Sequence, residues 1–351
     1  MTNQDLLQIA EEFGTPVYVY DADSIKSQYE KLTTSFAEST KFFYACKSLT
    51  NINILKYVEK LGANLDCVSI NEVKLGLKAG FSAERILFTP NCVDLAEIEE
   101  AMALNVHINI DNISILEQFG TKYGDSYPVF LRINPHIFAG GNYKISTGHI
   151  DSKFGISIHQ MRHIERVMKS TNLNIEGLHM HTGSEIKDPE VFLQGLEIMF
   201  ELSESFPNLK YIDMGSGFKV PYQKGELETD VKALGKKVEK AVAQFKKETG
   251  KDFELWFEPG KYLVSKSGHF LVKSNVIKQT TATVFVGVNS GFNHLIRPMF
   301  YDSYHVIENL TNPKGTERIY TVVGNICETD TFAWDRKLHE VREGDILVFR
   351  N

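Results

Sequence analysis

Cysteine is scarce in this 351-residue chain. Cys46, Cys67, Cys92 and Cys327 are the only four, and no two have CxxC spacing. A disulfide framework and a zinc ribbon are both disfavoured, and reduced thiols in a cytoplasmic protein are the expected state. No run of about 18 apolar residues occurs, so no membrane partner is expected. The opening MTNQDLLQIAEEFG carries acid and lacks both an apolar stretch and a small-residue cleavage site, so it does not read as a signal peptide. Basic charge is also in deficit. The 38 Lys and Arg against 45 Asp and Glu give a net charge of −7, poor footing for nucleic acid, which is bound through its phosphates. No low-complexity linker interrupts the chain. A hydrophobic share of 42% with 24% charged residues excludes a largely disordered chain. The length allows about two domains, or one large barrel with an appendage.

What is present is an alternation of short apolar runs with longer amphipathic segments. KFFYAC (41–46), NLDCVS (64–69), ILFTP (86–90), HINID (107–111), PVFLRINP (128–135), NIEGLHMH (174–181), LKYIDMGSG (209–217) and FELWFEPG (253–260) read as eight strands. Seven of them are followed by a helical pattern, the fifth only after a long loop. Strand alternating with helix predicts a parallel sheet, and eight units predict a closed (β/α)8 TIM-type barrel. A doubly wound open sheet is the competitor. It usually has fewer repeats, and no GxGxxG follows the first strand. After about residue 262 the pattern changes to strands without long helices, in HFLVKSNVIKQ, TATVFVGVN, RIYTVVGNIC and DILVFRN. The expected fold is therefore α/β. It consists of a barrel over 26–262 and a C-terminal β domain, sandwich-like or barrel-like, over 263–351. The N-terminal segment 1–25, with its strand PVYVYD, is expected to join the β domain.

Active sites of such barrels form at the C-terminal ends of the strands. Lys47 follows strand one. His181 follows strand six, with Thr182, Gly183 and Ser184 behind it. Gly215, Ser216 and Gly217 close strand seven, and Glu258, Pro259 and Gly260 close strand eight. Each has a plain structural explanation: a solvated lysine, a hydrogen-bonded rim histidine, tight-turn glycines, a carboxylate accepting turn amides. Together on one rim they describe a site for pyridoxal 5′-phosphate. A lysine amine forms a Schiff base with an aldehyde. Small residues let backbone N–H groups approach a phosphate. A carboxylate keeps a pyridine nitrogen protonated, and a flat imidazole stacks on the ring.

YACKSLTN, GLHMHTGSEI, IDMGSGF, FEPGK and GNICETD resemble, in order, five motifs of the alanine-racemase-fold (group IV) pyridoxal phosphate-dependent decarboxylases. The resemblance runs over essentially the whole chain. FGTPVYVYD, RINPHIFAGGNYKISTGHIDSKFGI and LIRPMFYDSYHVI are most similar to the branch that acts on meso-2,6-diaminopimelate. That branch removes the carboxyl from the D-configured centre and makes L-lysine, the last step of lysine biosynthesis.

The resemblance implies a role for each matched residue. Lys47 is the cofactor lysine, His181 stacks on the ring, and Ser184 and Gly217 lie beside the phosphate. Glu258 is the ring-nitrogen partner, with Gly260 and Lys261 next to phosphate or substrate. Arg297, Tyr301 and Glu328 hold the distal end of the substrate. Cys327 protonates the product carbanion from a partner subunit, which implies a homodimer with shared active sites. Physically, Arg297 suits the distal carboxylate as a bidentate pair, and Glu328 suits the distal ammonium.

Some positions depart from the family. Ser216 replaces a middle glycine, Lys261 a commoner arginine, and Asn289 a commoner aspartate. The chain stops at DILVFRN, where the family continues into an alanine–glycine–alanine–tyrosine segment, so a truncated β domain is expected. Three alternatives stand beside the diaminopimelate reading. One is a related decarboxylase of ornithine, arginine, lysine or carboxynorspermidine, and another is a non-catalytic homologue. The third is a metal-dependent barrel hydrolase using His179 and His181. No carboxylate is expected to complete such a metal site, so no metal is expected.

Overall fold

The computed structural model describes residues 1–137, 147–148 and 151–351. Much of the long loop expected after the fifth strand, including the first half of ISTG, lies outside the described residues.

The chain divides into two compact units. One comprises residues 25–220 and 227–264; the other comprises 1–24, 221–226 and 265–351.

The first unit is a closed parallel barrel. Strand β1 (Val17–Tyr20) belongs elsewhere. The barrel strands are β2 (Lys41–Ala45), β3 (Asn64–Cys67), β4 (Ile86–Phe88), β5 (His107–Ile110), β6 (Val129–Asn134), β8 (Ile175–His179), β9 (Tyr211–Asp213) and β10 (Glu254–Phe257). Each pairs in parallel with the next, β5 joins β6, and β10 returns to β2, so the ring has no open edge. A two-residue strand, β7 (Ile156–Ser157), pairs only with β6. These strands are short and largely buried, as expected of strands covered on both faces.

The alternation is punctuated by helix caps. Asn51, Ser69, Asp94, Asn112, Asp188 and Asp230 each accept a backbone N–H with the side chain at a helix start. The loop after a strand therefore ends where a small polar residue satisfies the first turn of the next helix. Two helices were not anticipated: α1 (Asn3–Phe13), begun by a capping box at Thr2 and Asp5, and α2 (Ala22–Thr33), just before the barrel. No helix among the described residues is long and apolar enough to cross a membrane.

The second unit is built on a seven-stranded mixed sheet. Its axis is β11 (Gly268–Gln279), which bulges between Ser274 and Val276. The first half of β11 pairs antiparallel with β1, Val17 opposite Leu271, and with β16 (Ile346–Arg350). Its second half pairs with β12 (Val284–Val288). β13 (Ile307–Asn309) extends one end on β16; β14 (Glu317–Val323) and β15 (Thr331–His339) extend the other. The β12–β14 pairing is parallel. Phe270 and Val272 of β11, Val286 of β12, Val322 of β14 and Phe349 of β16 share one buried core, so the two halves close over a common interior. The bulge makes this possible, because it bends and twists the long strand. The N-terminal strand thus joins the β unit as the sequence pattern predicts. The short excursion Pro221–Glu226, which also joins it, carried no signal in the sequence.

Candidate active site

Lys47 sits in a single tight turn, Cys46–Ser48, directly after β2. Its Nζ lies 3.9 Å from Oδ2 of Asp66, on the next strand. Asp66 is almost fully buried, and its oxygens make no hydrogen bond of good geometry. Burial, followed by the nearby Glu258 charge, pushes its carboxyl up to about 7.

Glu258 ends the eighth strand and is also buried. Its Oε2 is 3.1 Å from Nε2 of His179, while its Oε1 has no partner. Burial raises its proton affinity against the opposing pull of Lys47 and Arg132. Asp213, at the end of β9, is raised well above the usual carboxylate range by burial and then by Glu258. Arg132 is buried with its guanidinium 4.7 Å over the Phe154 ring. The rim therefore brings together two cations and three carboxyls, of which the carboxyls and Arg132 are buried and Lys47 is about half exposed.

The glycine loop is positioned by this group. Asp213 Oδ1 accepts the Gly215 N–H at 2.8 Å, and the Glu258 N–H donates to the Gly215 carbonyl at 2.6 Å. Gly215 and Gly217 have φ of +59° and +123°. A Cβ at Gly215 would stand 2.6 Å from the Met180 carbonyl oxygen, and one at Gly217 would stand 2.4 Å from that of Gly183. Neither position accepts a side chain. Ser216 between them has no positive φ, which is why a serine stands there without strain. Its backbone N–H donates to Nδ1 of His181 at 3.2 Å, so a neutral His181 carries its proton on Nε2. Burial, then the Lys47 charge, holds His181 well below the usual imidazole range; although part of its surface is open, protein encloses the ring. His179 is lowered likewise, by burial and then Arg132.

Further contacts gather the remaining barrel residues. The Ala45 N–H donates to the Pro259 carbonyl at 3.2 Å, and a Cβ at Gly260 would meet Ser48 Oγ at 2.2 Å. The Glu258 segment is thus packed directly on the Lys47 turn. The Ile186 N–H donates to the Gly217 carbonyl at 2.8 Å, joining the half-buried Ser184 loop to the glycine loop. Glu185 lies between two lysines, 3.5 Å from Lys261 Nζ and 3.7 Å from Lys219 Nζ.

One expectation is corrected here. Carboxylates do complete a cluster around His179: it, Asp213 and Glu258 offer ligand atoms within 4.8 Å of one another. The reason is closure of the barrel, which puts the ends of β8, β9 and β10 side by side. His181 does not join the cluster through Nδ1, which faces the Ser216 N–H.

Arg297, Tyr301, Cys327 and Glu328 belong to the second unit. Arg297 opens a short helix, Arg297–Tyr301. Its guanidinium lies 5.1 Å over the Tyr222 ring and 5.8 Å over the Tyr301 ring, and Nη2 donates to Ser303 Oγ at 3.2 Å. It forms no ion pair among the described residues, and its buried Nε is unpaired. Cys327 and Glu328 are exposed on the β14–β15 loop. Asp330, which sequence reasoning passed over, fixes that loop. Its carboxylate accepts the Phe292 N–H at 2.6 Å and the Ile326 N–H at 3.3 Å. Asp66, Arg132 and Asp213 were also missed as site residues, and His179 was read only as a candidate metal ligand. Their shared signal was position, since each lies within two residues of the end of its strand.

Fold and rim define a pyridoxal-dependent barrel decarboxylase. Residues 22–265 match the family described as pyridoxal-dependent decarboxylase, pyridoxal binding domain. The diaminopimelate decarboxylase of Methanothermobacter thermautotrophicus is 34% identical, over 99% of this chain and 83% of the relative. A crystal structure of diaminopimelate decarboxylase superposes with a TM-score of 0.91 at 32% identity, covering 99% of this chain and 86% of the other. The Helicobacter pylori diaminopimelate decarboxylase complexed with L-lysine gives 0.89 at 29% identity, covering 99% and 88%. The chain belongs to the diaminopimelate decarboxylase family.

The position of Asp66 sets a pH dependence. Its carboxyl ionises at about pH 4 when unfolded but at about pH 7 when folded. The unfolded chain releases this proton first, so the buried group lowers stability progressively as pH rises between those values. Asp66→Asn should flatten that fall. Urea midpoints near pH 5 and near pH 7.5, on protein stripped of small ligands, test it. An unchanged pH slope in the variant would show that Asp66 is not the titrating group.

Proposed function

We propose that this chain decarboxylates meso-2,6-diaminopimelate at its D-configured centre, giving L-lysine and carbon dioxide, with pyridoxal 5′-phosphate at the barrel rim. The observation that carries the cofactor is the buried Glu258, whose Oε1 is unpaired beside a cradle that no side chain can enter. An acceptor buried without a donor is costly unless a ligand supplies one. The residues fit the cofactor. Lys47 would bind its aldehyde, Glu258 its ring nitrogen and His181 its ring face. The Gly217 N–H, with Ser184, Gly260 and Lys261, would take its phosphate side, while Gly215 and Ser216, whose N–H groups are given to Asp213 and His181, would shape the turn beside it. When bound, the cofactor supplies the electron sink that makes loss of a carboxyl feasible.

The chain's own groups do the rest. Glu258 offers a carboxylate oxygen to a protonated ring nitrogen, and its contact with His179 fixes its direction. Asp66, titrating near neutrality beside Lys47 Nζ, holds or returns a proton at that amine. A neutral His181, oriented by the Ser216 N–H, presents a flat apolar face. Arg297, held by aromatic rings and lacking a carboxylate, takes the distal carboxylate of the substrate, with Tyr301 alongside. Glu328 takes the distal ammonium. Four unpaired cysteines suit the reducing cytoplasm. Cys327 and Glu328, exposed on their loop, complete the site of a second copy in a homodimer, and Cys327 delivers the proton to the product.

The reading is tested directly with purified protein. It should absorb in the visible, lose that band on borohydride reduction with the label on Lys47, and release carbon dioxide from meso-diaminopimelate ahead of lysine, ornithine, arginine or carboxynorspermidine. Label on another lysine, or preference for another of these substrates, refutes the corresponding part.

Shared sites predict complementation. Mixing inactive Lys47→Ala with inactive Cys327→Ala should restore up to roughly a quarter of the activity, since a mixed dimer holds one intact site. No recovery after verified subunit exchange would place each site within one chain.

Substrate choice is read from Arg297→Ala. Loss of kcat/KM on diaminopimelate should amount to about 2–5 kcal/mol, the range for removing one partner of a buried charge pair. Activity on lysine, which lacks the distal carboxylate, should fall far less. Equal loss on both would make Arg297 a structural residue.

A further inference from the structure

The loop that carries Ser184 is locked onto the strand end that leaves the glycine turn. Ile186 pairs in parallel with Phe218, and its N–H donates to the Gly217 carbonyl at 2.8 Å. Thr229, fully buried, donates its hydroxyl to the Ile186 carbonyl at 2.6 Å and accepts the Lys219 N–H at 2.7 Å. The two segments therefore hold each other in place. Between Ser184 and Ile186, Glu185 has φ of +64°, a left-handed conformation that glutamate adopts only at a cost. Glycine or asparagine would suit that backbone better, so the turn alone gives no reason for glutamate.

The side chain supplies the reason. Its Oε1 lies 3.5 Å from Lys261 Nζ and its Oε2 lies 3.7 Å from Lys219 Nζ. Both separations exceed a good hydrogen bond, so charge rather than a directed bond holds the two pairs. The lysines differ in burial: the Lys219 side chain is 8% exposed and the Lys261 side chain 29%. A lysine as buried as Lys219 is normally paired. Lys219 is thus the fixed partner of Glu185, and Lys261 the exchangeable one. Lys261 directly follows Gly260, and Ser184 directly precedes Glu185. A carboxylate therefore stands where the rim is otherwise suited to an anion.

We propose that Glu185 is an internal counter-ion that weakens the hold of this rim on phosphate. It pairs with Lys261 while no anion is bound. Lys261 turns from it to the phosphate of a bound cofactor, and Glu185 stays on Lys219. With Glu185 the three side chains carry one net positive charge; without its carboxylate they carry two. Glu185 is a positioning residue, acting through Lys261, and sets how readily the cofactor is exchanged. This rests on the reading of the rim as a pyridoxal phosphate site.

Pyridoxine 5′-phosphate, which lacks the aldehyde, tests the phosphate side without a bond to Lys47. Its dissociation constant is measured by calorimetry on protein stripped of small ligands, beside that of pyridoxine, which lacks the phosphate. Glu185→Gln should bind the phosphate ester about tenfold more tightly than the unaltered protein, because a like charge has been removed beside Lys261. Its affinity for pyridoxine should not change, and a merely structural role would not separate the two ligands. Should Glu185→Gln lose its fold by circular dichroism, Glu185→Asn makes the same comparison, since asparagine tolerates the left-handed backbone. Equal or weaker binding of the ester by the variant, or equal tightening of both ligands, overturns the proposal and leaves the cofactor reading standing. Failure of the unaltered protein and the variant alike to bind the ester overturns that reading and the proposal with it.

Discussion

The contact between His179 and Glu258, 3.1 Å long and closed off from solvent, is the interaction on which the rim depends. It joins the ends of β8 and β10 across β9, where Asp213 stands between them. Buried polar groups are tolerated only when satisfied, and here they satisfy one another incompletely. His179 Nδ1, Asp213 Oδ2 and Glu258 Oε1 all remain without a partner. A barrel built for stability alone would replace such a group with apolar side chains. Retaining it makes sense where a bound ligand supplies the missing partners.

The glycine loop follows from the same group. Asp213 and the backbone of Glu258 hold Gly215 from either side, and this sets the path through Ser216 to Gly217. The loop then orients His181 through a single N–H. One buried cluster thus determines a carboxylate, a tight glycine turn and a histidine tautomer together. A substitution in any of them would be felt by the others, so effects there should not add.

Much of this was legible in the residue pattern. The alternation of short apolar runs with capped amphipathic segments specifies strand, loop and helix locally, because Asn51, Ser69 and Asp94 satisfy helix starts wherever the chain goes next. Lys47, His181, Gly215, Gly217 and Glu258 could be read because each sits just past a strand, and closed barrels place those ends on one face. Other features left no local trace. Asp66 in NLDC looks like any polar residue in a short strand. The parallel pairing of β12 with β14, and the return of Pro221–Glu226 to the β unit, depend on long-range packing rather than on local preference.

The sequence by itself determined the order of elements, the places where glycine is obligatory and the residue types available at the rim. These are local properties, set by backbone sterics, capping and hydrophobic period. Only the tertiary structure decided which charges share a space. Lys47 meets Asp66 from the neighbouring strand, Glu258 meets His179 from 79 residues away, and Asp330 reaches Phe292 across two loops. A proton affinity is fixed by burial and by the charges nearby. Asp66 is therefore an ordinary carboxyl in the sequence and becomes a group titrating near neutrality only when the barrel closes around it.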